Sequence, residues 1–175
     1  MNYELCTMNY NITIPDAELR KAASEGSEAF LNLVIDETRK AIGGELTAEN
    51  MAQMSSDQIT LVGYAILRDE VMDGGFIQLI YNGYAPFFFR NPFDAAVRNW
   101  GLVDLCRLIR KVKKQYIRYR EEIEHPMTDE EFMALYEQLP AFEDFDDEFV
   151  TNEEQWTNQV AEYVDNHLTD FIKIS

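Results

Sequence analysis

Histidine and cysteine are scarce in this sequence, two of each in 175 residues. Cys6 and Cys106 stand far apart with no CxxC pair, which excludes a disulfide scaffold or a zinc ribbon and predicts two reduced thiols. Together with His125 and His167 they fall at none of the spacings used by nitrogen-and-sulfur metal sites, so no metal and no cofactor is expected. The phosphate-cradling GxxxxGKS/T loop, the GxSxG elbow, HExxH and GxGxxG are all missing, and with them the common signatures of catalysis. No apolar run reaches the roughly 18 residues of a membrane span. The opening MNYELCTMNY has neither a basic start nor the apolar stretch of a signal peptide, so a soluble cytoplasmic protein is expected. Internal repeats, low-complexity tracts and long linkers are absent too, which predicts a single helical domain over residues 1–175.

Basic residues are missing from one region above all. The chain has 32 acidic and 15 basic side chains, a formal net charge of -17. Residues 1–120 hold 15 acids and 14 bases; residues 121–175 hold 17 acids and one base, Lys173. Nearly the whole excess lies in the last third. Such a field repels nucleic acid and anionic membrane, so neither is expected as a direct partner.

What is present is helical periodicity. Apolar spacing of three to four residues and repeated capping signals predict an all-α bundle of roughly seven to nine helices, with a short extended N-terminal arm at residues 9–15. Helices are expected after Pro15 with a break near Gly26, from Ser27 to Ile42 with a stop at Gly43-Gly44, and briefly after Thr47. Ser55 with Gln58 forms a capping box for a helix to about Asp73, whose Ile59–Leu67 stretch is apolar nearly all round and belongs in a core. Gly74-Gly75 then breaks or bends the chain before a short helix in FIQLIYNGY. The aromatic run Pro86–Phe89 reads as a connector, Pro92 suits a first helical turn, and residues 102–122 form the longest periodic segment. Thr128 with Glu131, and Thr151 with Glu154, head helices of about 128–138 and 151–167, and AFEDFDDEF between them reads as an acidic loop or a loose turn of helix.

Two charged surfaces follow. On a wheel of about 100° per residue, Arg107, Arg110, Lys111, Lys114 and Arg118 share one arc of about 100°, opposite Leu105, Ile109, Val112, Tyr116 and Ile123. That ridge is either a nucleic-acid ridge, a solvated face, or a partner for the chain's own acidic third. In the acidic third, Asp129, Glu130, Glu137, Glu143, Asp144, Asp146, Asp147, Glu148, Glu153, Glu154, Glu162 and Asp165 could stand where phosphates stand for a DNA-binding protein. Helix capping and solubility would also place acids there. The Asp144, Asp146, Glu148 alternation imitates a calcium loop, but Phe149 occupies the turn-glycine position and Gln155 the closing acidic one. Glu70 alone sits deep in an apolar context, either as a structural tie or as an acid needing a second polar group beside it.

The run DEVMDGGFIQLIYNGY resembles the E-V-x-x-G-G-F-x-Q-x-x-x-N signature of a bacterial DNA-mimic protein family, formerly of unknown function. The matches are Glu70, Val71, Gly74, Gly75, Phe76, Gln78 and Asn82. NWGLVDLCRLIRKV and the ending EDFDDEFVTNEEQWTNQVAEYVDNHLTDF are similar to that family's long helix and closing acidic-aromatic segment, so the likeness covers about 55–171. Leu79 and Ile80 stand where the family suggests aromatics, and the basic ridge is a further departure. The resemblance implies an all-helical, non-enzymatic protein, monomer or homodimer, that occupies the DNA-binding surface of a helix-turn-helix transcription regulator or other nucleic-acid-binding protein. The alternative is an interaction or oligomeric module that uses the aromatic segment 84–93 as an apolar contact.

Overall fold

Residues 10–175 are described by the computed structural model; Cys6, Asn9 and most of the MNYELCTMNY opening lie outside the described residues. Among the described residues the elements run β1 (Thr13–Ile14), α1 (Asp16–Glu25), α2 (Ser27–Ile42), α3 (Ala48–Met51), α4 (Ser56–Tyr81), α5 (Ala85–Phe89), α6 (Phe93–Asn99), α7 (Val103–Ile123), α8 (Asp129–Gln138), α9 (Ala141–Asn166), a 3-10 turn (Leu168–Asp170) and β2 (Lys173–Ile174). The expected all-α class is what the chain adopts. It divides into two compact units, one holding the residues up to Val62 together with Thr157–Ser175, the other Gly63–Trp156; the divisions fall within α4 and α9.

In the first unit Thr13–Ile14 of the expected arm form a strand. β1 pairs in parallel with β2, Thr13 beside Lys173 and Ile14 beside Ile174, and Ile12 and Ile14 are buried. Gly26 separates α1 from α2 at φ 130°. The α2 helix ends where Gly43, at φ 85°, and Gly44 return their N–H groups to the Lys40 and Arg39 carbonyls. Gln58 closes the Ser55 capping box at 3.0 and 2.9 Å, and its amide donates to the Phe171 carbonyl at 2.9 Å, which ties the start of α4 to the chain's end.

The second unit is built on aromatics. Phe88, Phe89 and Phe93 are buried, Phe87 packs edge-on against Phe88, and Phe89 stacks on Tyr116 of α7. A Cβ on Gly63 would lie 2.6 Å from the Phe87 ring, so only glycine lets α4 approach this cluster. Two expectations change here. Pro86–Phe89 is not a connector but part of α5, a short helix with its proline in the first turn. The last long helix starts not at Thr151 but at Ala141, after Pro140, so AFEDFDDEF is helical and Thr151 lies exposed within α9. Burial of Phe142 and Phe149 decides this: each is fully buried, a gain of about 1.5–3 kcal/mol per side chain that a local capping signal of about 1 kcal/mol does not match.

Candidate functional site

The motif residues Glu70, Val71, Gly74, Gly75, Phe76, Gln78 and Asn82 build a kink. Gly75 has φ 76° and ψ -175°, a conformation closed to residues with a side chain, and it divides α4 just before Phe76. The break leaves the Phe76 N–H without a helical acceptor. Asp146 of α9 takes it, its Oδ1 accepting at 2.8 Å. Approach is so close that a Cβ on Gly75 would meet Asp146 Oδ2 at 2.3 Å. On the other flank the Tyr136 hydroxyl of α8 donates to the Gly74 carbonyl at 2.6 Å. Glu70 holds both arms of the bend: its Oε2 accepts from Gln78 Nε2 at 3.2 Å and from Asn82 Nδ2 at 2.8 Å, while Gln78 Nε2 also donates to Asp73 at 2.9 Å. Phe76 and Val71 are buried beside the kink, and Phe76 meets Phe149 edge-on at 6.2 Å. Leu79 and Ile80 are fully buried and fill the same core. Glu70 is thus a structural tie.

This staple sets the phase of α9. Within residues 141–156, Phe142, Phe149 and Trp156 share the inward side, and Asp146 and Glu153 fall next to them; Glu143, Asp144, Asp147 and Glu154 fall on the opposite arc and are exposed. The twelve anionic candidates therefore have different surroundings. On α8, Asp129, Glu130 and Glu137 are exposed, with Asp129 and Glu130 in a first turn capped by the Thr128–Glu131 box. Asp146 is half-buried on the Phe76 N–H. Glu148 is half-buried, its Oε2 3.2 Å from Lys111 Nζ, and Glu153 is half-buried with a partner of its own. Glu162 and Asp165, in the first unit, are exposed along a groove that also holds Phe30 and Ala161.

Burial pushes the Asp146 carboxyl up to about 6; the Phe76 N–H pulls it down, and the neighbouring charges of Asp147 and Glu143 push it further up. Burial, with the Asp146 and Asp73 charges, also raises the Tyr136 hydroxyl. Asp144, Asp146 and Glu148, the calcium-like alternation, face open solvent, the kink and Lys111 respectively and share no centre.

Two of the five ridge cations of α7, Arg107 and Arg110, are engaged by carboxylates outside the acidic third. Arg107 pairs with Asp104 at 2.8 Å, Arg110 with Asp94 at 2.8 Å, and Arg120 with Glu124 at 3.5 Å. Burial alone would raise the Asp94 carboxyl, but the Arg110 hydrogen bond, the Ala95 N–H and the Arg110 and Lys113 charges outweigh it and hold it below the usual range. Lys111 with Glu148 joins ridge to α9. Asp129, Glu130, Glu137, Glu143, Asp144, Asp147 and Glu154 form no ion pair with any described residue. In the aromatic segment 84–93, Ala85, Phe88, Phe89 and Phe93 are buried and Tyr84 and Phe87 half-buried, and none of its residues is among the large exposed hydrophobics of the described residues.

Sequence reasoning missed Tyr136 and the capping role of Asp146. A signal for both existed: a helix broken at Gly-Gly needs outside partners for the freed Phe76 N–H and Gly74 carbonyl.

Among the described residues no helix is long and apolar enough to cross a membrane. The sequence profile of the DMP19-like proteins matches residues 52–167, close to the span 55–171 expected from the motifs. The chain is 31% identical over 128 residues to the DNA mimic protein DMP19 of Neisseria meningitidis serogroup B (strain ATCC BAA-335 / MC58), an alignment covering 72% of this chain and 77% of that protein. These two likenesses agree, and the chain belongs to the DMP19-like protein family.

Proposed function

We propose that this chain is a binding protein whose exposed carboxylates on α8 and the first part of α9 occupy the basic DNA site of a DNA-binding protein, in the cytoplasm. The supporting observation is the set of carboxylates left in water without internal cations. Glu143, Asp144, Asp147 and Glu154 spread over twelve residues of helix, a rise of about 16 Å, or roughly one charge per 4 to 5 Å. A single strand of B-DNA carries one per about 3.4 Å. The α9 stripe is therefore close to one phosphate strand in density, and Asp129, Glu130 and Glu137 add charge from α8. Asp146 takes no part in that surface; it supports the helix that carries it. A helix-turn-helix regulator of transcription is the target class, since a recognition surface lined with lysine and arginine is what such a stripe complements.

Attraction of this kind gives fast, salt-sensitive association, and the carboxylates perform no bond chemistry. The test is competition. DNA-binding proteins captured on the immobilised chain at low salt are eluted, and each is assayed for binding to a labelled operator duplex with rising amounts of the chain. Displacement of duplex at stoichiometric amounts supports the proposal. A captured protein that holds chain and duplex at once contradicts it.

A further inference from the structure

The ridge on α7 has no role in that proposal, yet it borders a cavity. Arg98 of α6 and Arg107, Arg110, Lys111 and Lys114 of α7 line a concavity of about 300 Å³, with the buried Cys106 and the exposed Val103 as its apolar part. A second hollow of about 280 Å³ lies on the far side of Arg110, where Arg90 and Lys113 add two further cations. Three of the five cations of the first cavity have partners: Asp104 holds Arg107, Asp94 holds Arg110 and Glu148 meets Lys111. Arg98 and Lys114 form no ion pair with a described residue, so the cavity keeps a positive surplus. In a chain of net charge -17 this is a local inversion of sign built from two helices.

We propose that this concavity between α6 and α7 binds a small phosphorylated anion, with Arg98 and Lys114 as its free cations and Arg110 as a guanidinium fixed in place by Asp94. Guanidinium forks match phosphate oxygens in pairs, and Arg110 is already oriented by its carboxylate. Size selects the ligand. From Arg107 to Lys114 the helix rises about 10 Å, room for a di- or triphosphate and close to the Debye length at 0.1 M salt. A ligand confined to that distance has Glu148, paired with Lys111, beside it and is screened from carboxylates beyond the Debye length, whereas a duplex extends past it and meets the repulsion of the whole chain.

The test titrates the full chain at about 0.1 M salt, by calorimetry, with sodium pyrophosphate and separately with ATP. Saturable binding of pyrophosphate is expected, weakened about tenfold by Arg98→Gln and by Lys114→Gln, each of which removes one charge-assisted contact. Arg118→Gln is the control: it lies on the same ridge but outside the cavity, its guanidinium over the Tyr119 ring, and it should leave binding within about twofold. All three side chains are exposed, so circular dichroism should show each variant folded. ATP binding more tightly through the same two residues would assign a nucleotide; equal affinity would assign the phosphates alone. The proposal is overturned by an absence of saturable binding up to about 10 mM, by equal weakening from Arg118→Gln, or by one turn of duplex DNA competing as well as pyrophosphate.

Discussion

Replacing Asp146 with asparagine keeps the shape of the side chain and an oxygen to accept from the Phe76 N–H, and removes only the charge. In the folded chain that carboxyl titrates near 6 against an ordinary 3.8, because burial and the Asp147 and Glu143 charges oppose its ionisation. A carboxyl with a folded value above its unfolded one holds its proton more tightly in the folded state. Its contribution to stability is complete below about pH 4 and is lost as pH rises through 6. The full gap would correspond to about 3 kcal/mol; solvent still reaches part of the group, which reduces this to roughly 1–2 kcal/mol. Urea unfolding of both proteins from pH 4 to 8 measures it, and the difference between the two curves cancels every other titrating group. The Asp146→Asn protein should match the parent near pH 4 and exceed it by roughly 1–2 kcal/mol at pH 8. A flat difference, or a parent that gains on the variant as pH rises, would refute the reasoning.

Gly75→Ala should be the most damaging single change at the kink. Its φ of 76° disfavours any side chain and the new Cβ would strike Asp146, for a loss of about 3 kcal/mol or more, read as a lower urea midpoint. Tyr136→Phe leaves the Gly74 carbonyl without its donor and should cost about 1–2 kcal/mol by the same assay, with the helical signal in circular dichroism unchanged.

Much of the fold can be read from local pattern. The breaks at Gly26 and Gly43-Gly44, the helix start at Thr47, the capping boxes at Ser55 and Thr128, and the amphipathic α7 all lie in the sequence because each is decided within a few residues. The errors arise where distant contacts decide. Thr151-x-x-Glu154 has the form of a helix start, but Phe142 and Phe149 gain more by entering an aromatic core, and the helix extends back to Ala141. The partner of β1 lies at the other end of the chain, beyond the reach of any window. For the site, composition identifies the acidic third but not which carboxylates turn inward. Asp146 and Asp147 are neighbours in sequence and about 100° apart on the helix, one at the kink and one in water. Only the phase fixed by Phe142, Phe149 and Trp156 separates them.

The same separation defines the most direct measurement of the central claim. A DNA-binding protein captured on the chain is titrated, over a series of salt concentrations, with the parent, with a Glu143→Gln, Asp144→Asn, Asp147→Asn, Glu154→Gln variant, and with Asp146→Asn. If exposed carboxylates act as phosphate surrogates, the fourfold amide variant binds at least about tenfold more weakly with a flatter salt dependence, and Asp146→Asn binds like the parent. Unchanged affinity in the fourfold variant, or an equal loss from Asp146→Asn alone, would contradict it.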